Sequence, residues 1–404
     1  VGLTHGETLP EKPMPPPAPG GVYQGLGFAL LRADESPDYW TSGGLTALVM
    51  LGKWLGHGHS DDYNLILHGK GRLLYPDLNV IQYEPSYLNW THEGIAHNTL
   101  LVDHQSPSHG PFTTRNDLNG DVKHFAITGS AYPGTRQTRV ILLTKDYLAD
   151  FFQAADTDEP TRSHVFDWVL HGLGRLYLGN PGAYRQTNEL VPYYWWVDNE
   201  RGRDTDATFQ ADWIQRSAGA TPGLQAFGDE WFQHEVGVRM TMLGSKGTRV
   251  FAGDGPFTNG PPYHRIEGNP EGSLPLVVVR REAPAAAFAA IHEPYEGRPR
   301  IRHVRRIGET PTAMAIMVHA PEFTDYLMVG FDDNEHTLTS GTGEVFTFAE
   351  YGYLRVQNSG IRASGKLSGF RVGMSSFTSK AEAMINGKKE RLDKGEGFLQ
   401  WGKL

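Results

Sequence analysis

Thr138-Arg139-Val140-Ile141-Leu142-Leu143, followed after three residues by Tyr147-Leu148-Ala149-Asp150-Phe151-Phe152, is the stretch whose reading decides the fold. Each run is short and rich in β-branched or aromatic residues, so each reads as a strand. Comparable runs recur at 27–32, 63–68, 72–75, 99–103, 164–171, 237–242 and 275–279. Turn signals separate them: Lys70-Gly71, Asn119-Gly120, Pro133-Gly134 and Asn180-Pro181-Gly182. Frequent Gly (48) and Pro (26) favour many short strands over long helices. The expected fold class is all-β: a large antiparallel β-sandwich followed by a small C-terminal β module.

The boundaries follow from composition. Residues 1–21 hold Pro13-Met14-Pro15-Pro16-Pro17-Ala18-Pro19 and read as a proline-rich, semi-rigid linker. Residues 22–332 form the sandwich, closed by runs at 312–319 and 325–330, and 333–404 form the small terminal module. The segments 81–96 and 182–235 read as long loops. The second carries Tyr193-Tyr194-Trp195-Trp196, suited either to packing or to binding sugar faces.

Bulk properties narrow the function. A net charge of -9 over 404 residues argues against a general nucleic-acid binder. An acidic substrate remains open, because a local group of Arg, His and metal outweighs the global sign. Without cysteine there is no thiolate site or disulfide. No apolar run reaches about 18 residues, so no membrane span is expected. No signal-peptide pattern is found, and the start at Val1 reads as a processed, excised or partial product.

Chemistry concentrates in His57, His59, Asp77 and His97, which fall within forty-one positions. His59, Asp77 and His97 are spaced 18 and 20 residues apart (77 − 59 and 97 − 77), each beside a strand-like run. Two imidazoles and a carboxylate suit zinc or another divalent metal, with a position left open. Alternation places His57, His59 and Asp61 on one face. Asp61, Asp62, Asn64 and Asn98 are read as turn or cap residues, or as groups orienting a ligand. Tyr83, Tyr87 and His92 lie in the loop between two ligands, where a general acid or base would fit. Arg136, Arg139, His164 and His171 sit on later strands. Arginine there would suit a carboxylated or sulfated sugar, or an ordinary surface ion pair. No nucleophile elbow, phosphate loop, His-Glu-x-x-His helix or dinucleotide fingerprint is present.

Four ordered motifs resemble the heparinase II/III-like polysaccharide lyases, a family that includes alginate lyases. They are residues 27–32, Gly56-His57-Gly58-His59-Ser60-Asp61-Asp62-Tyr63-Asn64, Gly71-Arg72-Leu73-Leu74-Tyr75-Pro76-Asp77 and Ala96-His97-Asn98-Thr99-Leu100. The resemblance implies an α/α toroid, a central β-sandwich and a small C-terminal β module. It implies zinc on His59, Asp77 and His97, with His57 facing the cleft. It implies β-elimination: a base removes the C5 proton of a uronate, and the C4–O bond breaks. Tyr83, Tyr87 or a toroid tyrosine would serve as acid or base. Arg136, Arg139, His171 and Asn98 would contact an acidic polysaccharide.

No toroid is found in the sequence, so either a toroid domain or chain docks on the sandwich, or this piece is inactive alone. The family implies a secreted or periplasmic home. Two other readings stay open: a non-catalytic carbohydrate-binding sandwich, and a uronyl C5-epimerase.

Overall fold

Side-chain alternation in one hairpin organises the whole molecule. Thr135–Leu143 pairs antiparallel with Leu148–Asp156, setting Val140 opposite Phe151 and Ile141 opposite Asp150. Successive side chains point to opposite faces of a sheet. Ile141, Leu143, Leu148 and Phe152 therefore enter one apolar core, while Val140, Leu142, Ala149 and Phe151 enter a second. A strand buried on both faces reads as a continuous apolar run, as this one does.

The computed structural model describes residues 19–39, 41–52, 58–78, 90–216, 234–257, 266–269, 272–373, 382–395, 397–402 and 404. Within them the chain is all-β, in four sheets. A five-stranded sheet runs Gly21–Tyr23, Phe28–Arg32, Thr46–Met50, Leu65–Gly69, Arg72–Tyr75 in sequence order. An eight-stranded sheet is ordered Arg175–Leu178, Phe209–Gln215, Val236–Met242, Ala285–Glu296, Leu148–Asp156, Thr135–Leu143, Lys123–Gly129, Phe112–Asp117. A six-stranded sheet is ordered Arg185–Gln186, Asp198–Asp204, Arg249–Gly255, Leu274–Ala283, His164–His171, Leu100–Val102. The ten strands from His303 onward form the last sheet.

The first three sheets share one core, which holds Leu31, Leu67, Tyr75, Phe152, Trp168, Trp213 and Val277. The second core lies between the eight-stranded sheet and the last one, where Ile316, Leu327 and Tyr351 meet Val140 and Phe151. The outer face of the six-stranded sheet is covered by Trp90, Leu190, Tyr194, Val197 and Phe257.

Two details differ from the sequence reading. Ala313–Ala320 and Phe323–Gly330 pair within the C-terminal sheet instead of closing the sandwich. Their apolar faces serve that sheet's own cores, which composition alone does not distinguish from a sandwich core. The stretch 182–235 is not one loop, because Asp198–Asp204 and Phe209–Gln215 are strands. Asp198-Asn199-Glu200-Arg201-Gly202-Arg203-Asp204 lies next to the sheet edge and is mostly solvated, so it lacks the apolar alternation that marks buried strands. The linker assigned to 1–21 lies outside the described residues up to Pro17 and Ala18; Gly21 already begins a strand.

Two buried histidines fasten the layers. His124 stacks on Tyr351 of the last sheet with ring centroids 4.3 Å apart and an interplanar angle of 5°. His292 Nδ1 lies 2.9 Å from the Tyr75 hydroxyl of the five-stranded sheet. Burial holds both neutral, lowering His124 to about 3, with Arg115 adding to it, and His292 to about 4. In the unfolded chain each titrates near about 6.5. Below that pH the unfolded state binds the extra proton, so stability falls as the solution is acidified. Replacing His124→Phe removes this term. The wild type is expected to lose up to about 1.4 kcal/mol per pH unit relative to the variant between pH ~6.5 and ~4. Urea unfolding of both proteins across that window checks it; parallel curves would show that His124 carries no such linkage.

Candidate functional site

The loops at 58–64, 76–78 and 90–99 meet where the five-stranded and six-stranded sheets touch, and bring His59, Asp77 and His97 together. His97 Nδ1 is 2.9 Å from Asp77 Oδ1, and its Nε2 is 3.0 Å from the Thr91 carbonyl oxygen. The His59 ring stands 5.4 Å from that of His97 and 5.1 Å from that of His92, centroid to centroid. The Ser60 N–H donates to the His92 carbonyl at 3.0 Å, tying two of these loops. His59 and Asp61 lie in a loop, not on a strand, so they share no face by strand alternation.

Two asparagines hold the cluster from beneath. Asn64 Nδ2 donates to Asp77 Oδ1 at 2.8 Å, and its Oδ1 accepts the Asn98 N–H at 2.8 Å. Asn98 Nδ2 donates to the Leu65 carbonyl at 2.9 Å, and Asn98 Oδ1 accepts the His171 N–H at 2.6 Å. Asn98 and His171 are thus enclosed structural braces, 0% and 1% exposed, without the access that a substrate contact needs.

Arg139 goes the same way. Its side chain is 0% exposed and makes a two-point ion pair with Asp150, Nε to Oδ1 at 2.9 Å and Nη2 to Oδ2 at 2.7 Å. Its Nη1 donates to the Tyr63 carbonyl and, at 2.7 Å, to the Asn98 carbonyl. All three nitrogens are spent inside the protein, so Arg139 positions the loops and does not meet a sugar. Tyr63 has φ of +63°, a left-handed conformation rare for a bulky residue. The bond from Arg139 and the edge-on packing of its ring on Phe152 at 5.6 Å hold it there. Arg136 lies on the opposite face of its strand, where Nη2 donates to the Phe331 carbonyl at 3.3 Å, away from the cluster. His164 is likewise remote, clasped between Asp103 and Asp156 at 2.7 and 2.8 Å. His57, Tyr83 and Tyr87 lie outside the described residues.

The electrostatics of the cluster are asymmetric. Burial, reinforced by His97, drives His59 down to about 4, so it presents a neutral imidazole. Burial also opposes charge on His97, but hydrogen bonding and attraction from Asp77 outweigh it and raise its pKa. The geometry requires this: a carbonyl and a carboxylate both only accept, so both nitrogens of His97 must donate. Burial raises Asp61 to about 6, with the charges of Asp77 and Asp62 adding to it and His97 opposing. Asp61 is therefore a carboxyl poised near neutrality, beyond the turn, cap or ligand-orienting role that its sequence suggests.

Two imidazoles and a carboxylate are donors of the types that zinc takes. Two imidazoles on one tetrahedral zinc place their ring centroids about 5 Å apart, close to the separation here. Nitrogen and oxygen donors on such an ion stand about 3.3 Å apart, so the His97–Asp77 contact is the same pair drawn slightly closer. The Thr91 carbonyl would orient His97 from behind, as outer partners of metal-bound histidines do. Among the described residues no three such side chains converge at ligating separation. Ligation would exchange the His97–Asp77 hydrogen bond for two metal bonds.

Arg139→Met tests the brace. It strands the Asp150 carboxylate and two carbonyls in the core, at an expected cost of about 3–5 kcal/mol. Arg139→Met/Asp150→Leu should recover part of that stability. In both variants, amides at 58–64 and 97–99 should exchange hydrogen faster. Unchanged exchange in those loops would show that Arg139 does not hold the site.

No protein-family model matches the chain. A curated exo-oligoalginate lyase of Saccharophagus degradans is 34% identical over 110 residues, covering 22% of this chain and 15% of that protein. Heparan sulfate lyase from Pedobacter heparinus superposes with a TM-score of 0.55 at 15% identity, covering 79% of this chain and 44% of that one. A heparinase III superposes with a TM-score of 0.54 at 13% identity, covering 78% of this chain and 43% of that one. The chain thus spans less than half the length of the proteins it matches. Its fold is that of the β-rich part of heparinase III and heparan sulfate lyase, and a stretch of its sequence is similar to an exo-oligoalginate lyase.

Proposed function

We propose that this chain is the β-sandwich portion of a polysaccharide lyase that cleaves uronic-acid-containing chains by β-elimination. The observation that carries the reading is the meeting of His59, Asp77 and His97, three residues from separate motifs, on a fold shared with two lyases. The described residues hold no helical toroid, and the remainder of a cleft would come from such a domain or chain. A secreted or periplasmic setting, where acidic polysaccharides occur, belongs to the same proposal.

Zinc held by His59, Asp77 and His97 would supply fixed positive charge beside the cleft. Neutralising a uronate carboxylate acidifies the proton at C5, and positive groups help most where that charge develops. Neutral His59 can bind metal without first losing a proton. Asp61, holding or releasing a proton near pH 6, can serve a nearby hydroxyl or water. His57 would face the uronate, and Tyr83 or Tyr87 would move the proton, each on the strength of family resemblance. A tyrosine titrates near about 10 in isolation, so it requires a cation beside it to act as base.

Metal content is the first check. Purified protein should contain one zinc, and His59→Ala and Asp77→Asn should each lose it. Chelation should lower stability by about 2.7 kcal/mol relative to protein with free zinc at a hundredfold excess over Kd. Unaltered elemental analysis in His59→Ala would rule out the ligand assignment.

Activity is the second. Incubation with alginate or heparan sulfate, with a toroid partner supplied if one co-purifies, should generate the ultraviolet absorbance of a 4,5-unsaturated uronate. His57→Ala should abolish this signal, by at least about a hundredfold as for loss of a group that positions the substrate, without altering the unfolding temperature. Binding with no unsaturated product would indicate a carbohydrate-binding sandwich instead, and isomerised uronate without chain cleavage an epimerase.

A further inference from the structure

Two exposed aromatic rings lie over the outer face of the six-stranded sheet, each with its inner side already occupied. Tyr193 is 53% exposed and stacks on His104, ring centroids 3.6 Å apart at an interplanar angle of 17°. Trp195 is 60% exposed and stacks on Trp196 at 4.3 Å and 28°. Their chain neighbours turn inward: Tyr194 is buried, and Trp196 packs on Trp90 at 5.7 Å. Two residues of chain span at most about 7 Å, so the two open faces adjoin.

The ring beneath Tyr193 is fixed from several sides. Asp103 and His104 form the centre of a two-residue turn, closed by the Gln105 N–H on the Val102 carbonyl at 2.9 Å, and both have positive φ, +49° and +62°. Such a turn ordinarily takes Asn-Gly or Asp-Gly, so histidine is strained there. Asp103 offsets the strain: its carboxylate accepts the Val165 N–H at 2.9 Å and meets His164 at 2.7 Å. His104 Nδ1 lies 3.3 Å from Asp167 Oδ2 and 3.3 Å from Arg280 Nη2. Buried Asp167 is in turn gripped by Arg280 at 2.7 and 2.8 Å and by the Tyr194 hydroxyl at 2.7 Å. Strain that the surroundings hold in place clusters at functional positions. Among the described residues His104 Nε2 has no hydrogen-bond partner, and the side chain keeps 12% exposure.

This surface is continuous with the metal-type cluster. Phe166, Trp168 and Leu170 of the strand His164–His171 enter the inner core, so Asp167 and His171 both face outward. Four residues separate them, about 13 Å along the strand. Trp90 lies in the interval, meeting His171 at 6.2 Å and Trp196 at 5.7 Å, and the next residue, Thr91, holds His97 through its carbonyl. From the cluster outward the order is therefore Trp90, then Trp195 on Trp196, then Tyr193 on His104.

A protein partner would cover about 800 Å² of such a surface. Two ring faces and one nitrogen offer less, and they match a sugar, whose ring carbons present an apolar side and whose hydroxyls stand at its edge. The geometry points to a saccharide platform: Trp195 and Tyr193 stack on neighbouring units of a chain that extends from the cluster, and His104 Nε2 hydrogen-bonds an oxygen of the unit over Tyr193. This rests on the polysaccharide reading proposed above. It makes the length of the saccharide, beyond the units at the reacting bond, a determinant of affinity.

Calorimetric titration tests it, using the hexasaccharide and disaccharide of alginate and of heparan sulfate. Trp195→Ala and Tyr193→Ala should each weaken the better-bound hexasaccharide about two- to tenfold, the loss of one aromatic contact. Both side chains are exposed, so both variants should keep the wild-type unfolding temperature. The double variant should bring the hexasaccharide close to its disaccharide in affinity. Affinity of the double variant within twofold of wild type, or no binding of either hexasaccharide, would overturn the platform. A double variant that changes oligomeric state at unaltered sugar affinity would mark the faces as a contact between copies and overturn it too. If the hexasaccharide binds through Trp195 and Tyr193 yet no unsaturated product ever forms, the platform stands and the lyase chemistry fails. If product forms and the double variant leaves KM unchanged, the platform fails and the lyase chemistry stands.

Discussion

The buried pair of Arg139 and Asp150 is the constraint on which the site depends. Taking two charges out of water costs several kcal/mol each, and only close geometry with further hydrogen bonds offsets it. Here the geometry is two-pointed, and the remaining donors of Arg139 reach the backbone of Tyr63 and Asn98. An apolar pair could fill the same volume at equal or better stability. It could not hold two loop carbonyls in register. Those two carbonyls belong to the loops that carry His59 and His97, so the charge in the core sets the aim of the groups at the surface.

The cluster above that brace is built in shells. Asn98 joins the loops to the strand ending at His171, and Asn64 grips Asp77. His97 is flanked by a carbonyl and a carboxylate, and His59 is kept neutral beside it. Such opposite pulls on two imidazoles a few ångströms apart, His97 raised by Asp77 and His59 lowered by burial, are characteristic of sites where environment assigns roles to chemically identical groups.

Much of this was legible in the chain itself. The apolar hairpin from Thr138 to Phe152 announced a buried sheet, and the motifs around His59, Asp77 and His97 announced residues that meet. What sequence could not supply was burial. Arginine at position 139 is chemically suited to sugar carboxylates and to a core ion pair alike, and only the third dimension separates the two. Asn98 and His171 were drawn into substrate contact by the same ambiguity. The strand Asp198–Asp204, by contrast, was invisible, because it is mostly solvated and has no apolar periodicity. The raised pKa of Asp61 was not legible, because adjacent carboxylates usually mark a solvated turn, whereas this one is enclosed.

The hairpin quoted at the outset also has a consequence for how the molecule could be divided. Its outward side chains, Val140, Leu142, Tyr147 and Phe151, are the floor on which Ile316, Leu327 and Tyr351 rest. The eight-stranded sheet is thus a party wall, plastered with oil on both sides. Severing the tail at any linker would leave a greasy plane open to water and to other chains, so the last hundred residues are better regarded as masonry than as a detachable cassette.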